Sequence, residues 1–85
     1  MDKSIPQQVI NFSSSANFKI EVCGIIDEGM SDYFGGLTIS HHITPDQVQI
    51  SCLEGLVLDQ AALIGILNAL YDMRFTILKL EIVEE

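Results

Sequence analysis

The sequence predicts an α+β domain: a four-stranded, mainly antiparallel sheet with one long helix on one face. Three observations carry this. Residues 58–72 form the only stretch long enough, and apolar at the right spacing, for a substantial helix. Four other stretches alternate apolar and polar residues, the period of a half-buried strand. A Thr44-Pro45-Asp46-Gln47 turn separates two of those stretches and marks a hairpin.

Residues 1–17 are rich in Ser, Gln and Asn and include Ser13-Ser14-Ser15, a composition that predicts a flexible tail ahead of a single domain at 18–85. Val9, Ile10 and Phe12 within it are able to add an edge strand or dock on a partner. Residues 18–26 read as the first strand, with Phe18, Ile20, Val22 and Ile26 on one side and Lys19, Glu21 and Cys23 on the other. Ser31 is placed to cap a short turn of helix carrying Tyr33 and Phe34, which Gly35-Gly36 would end. The aromatic pair would then close one end of the core.

Residues 37–43 give the second strand, with Leu37, Ile39, His41 and Ile43 alternating against Thr38, Ser40 and His42. Proline suits the second position of a type I turn and aspartate favours local hydrogen bonds, so residues 44–47 reverse the chain. In the third strand, residues 48–53, Val48, Ile50 and Cys52 are expected inside, with Gln49 and Ser51 outside.

The helix follows. Leu63, Ile66, Leu67 and Leu70 fall at i, i+3, i+4 and i+7 and share one face. Asp59 stands at the N-cap, where its carboxylate accepts from free backbone N–H groups at the positive end of the helix dipole. No charge lies between Asp59 and Asp72. Residues 75–83 close the fold as a last strand, Leu78, Leu80 and Ile82 alternating with Lys79, Glu81 and Val83. This βαββαβ order is that of a ferredoxin-like fold with an abbreviated first helix. The competing topology makes the first three strands a plain meander, followed by the helix and the last strand. In either case the other sheet face, carrying Lys19, Glu21, Thr38, Ser40, His42, Gln49, Ser51, Lys79 and Glu81, is polar and can stay wet.

Composition narrows the function classes. Twelve acidic residues against four basic ones give a formal charge of −8. Lys3, Lys19, Arg74 and Lys79 are scattered, which disfavours nucleic acid and anionic membranes, both of which demand clustered cations. Cys23 and Cys52 sit in strands rather than in a disulfide framework, and no secretory leader or membrane span is legible. A cytoplasmic protein is expected.

The chemistry-bearing residues do not assemble into a motif. His41 and His42 are neighbours on a strand, so their rings point to opposite faces and cannot share one metal ion. Asp27, Glu28 and Asp32 lack the ordered oxygen ligands of a calcium loop. Ser31, Ser40 and Ser51 have only the two histidines as potential bases, and no nucleophile elbow surrounds them. Gly35-Gly36 is followed by no Lys-Ser/Thr, so it is no phosphate loop. No catalytic residue, metal ligand or cofactor is assigned. Gly65 inside the helix costs about 1 kcal/mol relative to alanine, which a close backbone approach by a strand or a second helix would justify.

Two blocks, Tyr33-Phe34-Gly35-Gly36-Leu37-Thr38-Ile39 and Asp59-Gln60-Ala61-Ala62-Leu63-Ile64-Gly65-Ile66-Leu67, resemble a family of small uncharacterised bacterial proteins. That family carries an aromatic-Phe-x-Gly-Leu-Thr-Ile block, an Asp-Gln-Ala-Ala-Leu-His-Gly-Leu-Leu helix and a leucine-rich last strand. The likeness runs from Val22 to Val83. This chain has Ile64 where the family often has His, and Tyr33 where it often has Trp, so no catalytic imidazole on the helix is implied. The resemblance implies no known activity.

Two functions from different classes stand. One is a small non-enzymatic interaction or regulatory module that homodimerises. A sheet covers only one side of a helix, and the opposite side presents Ala61, Ile64, Gly65, Asn68 and Tyr71 without a charge. The other is a small-molecule binder or minor enzyme with a pocket near Tyr33, Phe34, His41 and Asp59.

Overall fold

The computed structural model describes residues 15–83. Val9, Ile10 and Phe12 lie outside them. Strand β1 (Ala16–Cys23) leads through a 3-10 helix (Glu28–Phe34) to β2 (Thr38–Ile43) and β3 (Gln49–Val57), and then to helix α1 (Gln60–Asp72) and β4 (Thr76–Val83). The strands form one open antiparallel sheet in the order β2-β3-β1-β4. β1 therefore pairs with β3 and β4 and not with β2, which removes the plain meander of the first three strands.

Register explains the core. Ile20 stands opposite Leu53 on one side and Leu80 on the other, and Ile39 stands opposite Leu53. Directly opposed residues share a sheet face, so this row runs across all four strands beneath the helix. Leu63, Ile66, Leu67 and Leu70 descend onto it from α1, and Phe34, Leu37 and Ile26 close its margin. Each such side chain contributes about 1.5–3 kcal/mol when fully buried.

The helix begins as its sequence predicts: Asp59 Oδ1 accepts from the Ala62 N–H at 2.9 Å. It ends with Arg74 at φ 68°, whose N–H donates to the Tyr71 carbonyl at 2.9 Å. The hairpin turn also forms. Gln47 N–H donates to the Thr44 carbonyl at 2.8 Å and Thr44 N–H to the Val48 carbonyl at 2.9 Å, with Gln47 itself in the left-handed region at φ 70°.

Four expectations are corrected. β1 stops at Cys23 because Gly24, at φ 116°, turns the chain away; Ile26 is still buried, but from the loop. The 3-10 helix is capped by Asp27, whose Oδ1 accepts from the Gly29 N–H at 2.8 Å, and Ser31 lies inside it. The inside and outside of β3 are exchanged. Ser51 shares the core face with Leu53 and Val57, while Ile50 and Cys52 lie on the opposite face against Cys23 and Glu21. β3 is flanked on both edges, so its neighbours' side chains bury Ile50 and Cys52 on the open face, and burial no longer reports which face is the core.

The fourth correction concerns β4. A bulge between the β1 pairs Glu21↔Lys79 and Val22↔Ile77 leaves Leu78 without a partner. An extra residue flips the alternation, so Ile77 packs on the core and Leu78 is half exposed.

Candidate functional site

Helix α1 buries one face on the sheet and leaves its other sides, with Ile64 and Tyr71 on them, exposed. At about 100° per residue, Ala61, Gly65, Asn68 and Asp72 line the side opposite Leu63, Ile66, Leu67 and Leu70. Ile64 and Tyr71 flank that line on one side, Ala62 and Ala69 on the other. Ala61, Ile64, Gly65, Asn68 and Tyr71 are all exposed, Ile64 at 41% and Tyr71 at 77%. A Cβ built on Gly65 would meet nothing within 4 Å, so no strand of the described chain requires the glycine.

On the Ala62 flank, the helix, the end of β3 and the 3-10 helix enclose an open groove of about 310 Å³. Its walls are Tyr33, Gly35, Leu56, Val57, Leu58, Ala62, Gly65 and Ile66, without one charged side chain. Leu58 and Tyr33 are each more than half exposed along it.

The residues expected to form a pocket do not converge. Tyr33 lines the groove. Phe34 is buried in the core, with the Tyr33 ring edge-on to it at 5.3 Å. Asp59 spends its carboxylate on the helix cap. His41 faces the other end of the 3-10 helix, where its Nε2–H donates to the Ile26 carbonyl at 2.6 Å. A carbonyl only accepts, which fixes the tautomer. Nδ1 lies 3.6 Å from Glu28 Oε2, an ion pair only when the ring is protonated.

His41 belongs instead to a polar clamp that sequence reading misses. Ser51 is fully buried; its Oγ donates to the Gly24 carbonyl at 2.7 Å and accepts from the Ile26 N–H at 2.8 Å. Ser51 stands directly opposite His41 in the β2–β3 ladder. Serine, histidine and glutamate are thus gathered in one place, but not as a nucleophile, base and orienting acid. Both Ser51 bonds and the His41 Nε2 proton are committed to the backbone, and the serine oxygen has no path to a substrate. The signal that could have located the clamp was a small hydroxyl residue, Ser51, two positions before Leu53 on the core parity of β3.

His42 lies on the face opposite His41 and pairs with Ile50. Among the described residues no three His, Cys, Asp or Glu side chains gather closely enough to hold a metal ion. The open sheet face carries cross-strand charge pairs, Lys19 opposite Glu81 and Glu21 opposite Lys79. Cys52 lies between these and the Ser40 side chain; burial is the main cause that pushes its thiol above the ordinary range, and Lys19 opposes it. No helix among the described residues is long and apolar enough to cross a membrane.

Fold and surface together define an antiparallel α+β domain with an apolar helix flank and its buried polar groups committed to structure. The chain belongs to the family described as Domain of unknown function (DUF8691), whose model matches residues 17–81. No curated protein matches it, and no solved structure does.

Proposed function

We propose that the domain is a non-enzymatic interaction module that pairs with a second copy of itself across the outward side of α1. The observation that supports this best is the exposed, uncharged surface of Ala61, Ile64, Gly65, Asn68 and Tyr71. Apolar surface of this kind marks association, and a two-fold dimer is the commonest way to cover it. Gly65 adds independent support. It costs helix stability, nothing inside the described chain uses its bare backbone, and a second helix crossing there would. Asn68 and Tyr71 would exchange hydrogen bonds across the axis.

The strand order β2-β3-β1-β4, with β3 between β1 and β2 and β1 between β3 and β4, is the arrangement we read as ferredoxin-like, its first helix reduced to a 3-10 turn. That architecture hosts binding and catalysis alike, so the surface carries the reading and the fold does not. The charge of −8 favours a protein partner over nucleic acid or an anionic membrane, and the free Cys23 and Cys52 suit the reducing cytoplasm. The sequence blocks shared with small bacterial proteins support a bacterial source.

A second reading, a small apolar ligand in the groove, is favoured by its volume alone, which lies at the low end of ligand pockets (about 300–1,000 Å³). The mass of the wild-type chain in solution, compared with Ile64→Glu, tests the first reading. Saturable binding of an apolar metabolite by a monomer would favour the second.

A further inference from the structure

We propose that the free edge of β4 pairs with the β4 edge of a second copy, antiparallel and centred on Leu80, so that one sheet runs through two chains. This contact is separate from the pairing of α1 and shares no residue with it.

The backbone supplies the edge. β4 is an outer strand of the sheet, and among the described residues no strand lies beside it. The other outer strand, β2, has the 3-10 helix packed against it. The Gly24 N–H donates to the Gln49 carbonyl at 2.8 Å, continuing the β1–β3 ladder. Backbone groups alternate sides along an antiparallel strand, so even-numbered residues of β1 bond to β3 and odd-numbered ones to β4. Lys79 and Glu81, opposite Glu21 and Lys19, are therefore bonded inward. Leu80 and Ile82 aim their N–H and C=O groups at the open edge. The bulge lies before Lys79, and from there to Val83 the strand holds no Pro or Gly. An edge of this kind is a template for another strand.

The side chains of β4 select a copy of β4. Centred on Leu80, an antiparallel pair sets Lys79 opposite Glu81, Leu78 opposite Ile82 and Leu80 opposite itself. Lys79 and Glu81 then meet at positions without ladder hydrogen bonds, where opposed side chains come closest. Within one chain, Lys79 Nζ lies 3.4 Å from Glu81 Oε1, and each already faces the opposite charge on β1. Across the junction a row of Glu21, Lys79, then Glu81 and Lys19 of the second copy alternates in sign over four strands. A slip of two residues either way opposes lysine to lysine or glutamate to glutamate, which is unfavourable. A slip of one sets the polar face of one strand against the apolar face of the other. Leu78, 51% exposed, and Ile82, 40% exposed, would cover each other.

One strand pairing buries a small area, so the contact is weak. It joins chains at hundreds of micromolar, above the range in which α1 pairs.

The test uses the full chain carrying Ile64→Glu, which removes the α1 contact, and sedimentation equilibrium at hundreds of micromolar. This chain should form pairs. With Lys79→Glu or Glu81→Lys added it should stay single, and an equimolar mixture of these two should pair again, because each junction then meets opposite charges. Loss of fold in either variant cannot mimic that recovery. In the Ile64→Glu chain without charge reversal, amide hydrogen exchange at Leu80 and Ile82 should slow as concentration rises through the same range. An Ile64→Glu chain that stays single, a reversal that pairs as before, a mixture no better than its components, or exchange at Leu80 and Ile82 indifferent to concentration would overturn the proposal.

Discussion

Ser51 and His41 face each other across the β2–β3 ladder, and both bind the segment that carries the chain out of β1. Ser51 takes the Gly24 carbonyl and the Ile26 N–H, and His41 takes the Ile26 carbonyl. A turn at the end of a central strand leaves backbone groups that no ladder can pair. The two side chains satisfy them, and Ile26 is thereby held in the core.

Ser51→Ala should destabilise the domain by about 1–3 kcal/mol, since it leaves a buried donor and a buried acceptor without partners. His41→Ala should cost less, its site being part-exposed. The double variant should fall short of the sum, because both side chains hold one segment. Urea denaturation of the four chains measures this; Ser51→Ala within about 0.5 kcal/mol of wild type would show the clamp to be dispensable.

Leu67→Ala should cost about 2–5 kcal/mol by opening a cavity under the centre of α1. Leu67 is buried in the same cluster as Phe18, Ile20 and Leu53. In a domain of this size the loss is a large share of total stability, so thermal melting should drop sharply or the chain should fail to fold.

The two thiols should separate cleanly. Cys23 is exposed and Cys52 buried, with the Cys52 thiol raised above its ordinary range chiefly by desolvation. A disulfide reagent should titrate one thiol in the native protein and the second only after unfolding. A raised thiol favours the neutral form in the folded state. Its contribution to stability is therefore complete below the ordinary thiol pKa and declines as pH rises through and above it.

The helix was legible because its signals agree: Asp59 at the cap, and apolar residues at 63, 66, 67 and 70. The hairpin was legible from Pro45 and Asp46 for the same reason. The face of β3 was not, because Ile50, Ser51, Cys52 and Leu53 are all buried and a strand covered on both sides shows no alternation. Nor was the bulge at Leu78, which changes the parity of β4 without any Gly or Pro to announce it. The groove escaped reading because it depends on β3 outrunning β2, a relation between strands that no local pattern records. Tyr33 and Phe34 do touch, edge to face, but Phe34 is buried in the core and His41 reaches the Ile26 carbonyl at the other end of the 3-10 helix, a separation that adjacency in sequence does not record.

Gly65→Ala separates the helix's own stability from its association. With space for a methyl group, the substitution should stabilise the isolated chain by about 0.5–1 kcal/mol, while holding two helices apart and weakening the dimer. Chemical denaturation at low concentration and sedimentation at high concentration read the two effects. A variant that gains stability and associates as before would move the interface off Gly65.

The most direct measurement is the solution mass of the full chain by light scattering at micromolar concentrations, beside Ile64→Glu. Ile64 is 41% exposed, so a glutamate there leaves the fold intact but places a charge in the centre of the proposed interface. The wild type should have the mass of two chains and Ile64→Glu that of one, with the same circular dichroism. A wild type that stays a single chain across the concentration range would contradict the account.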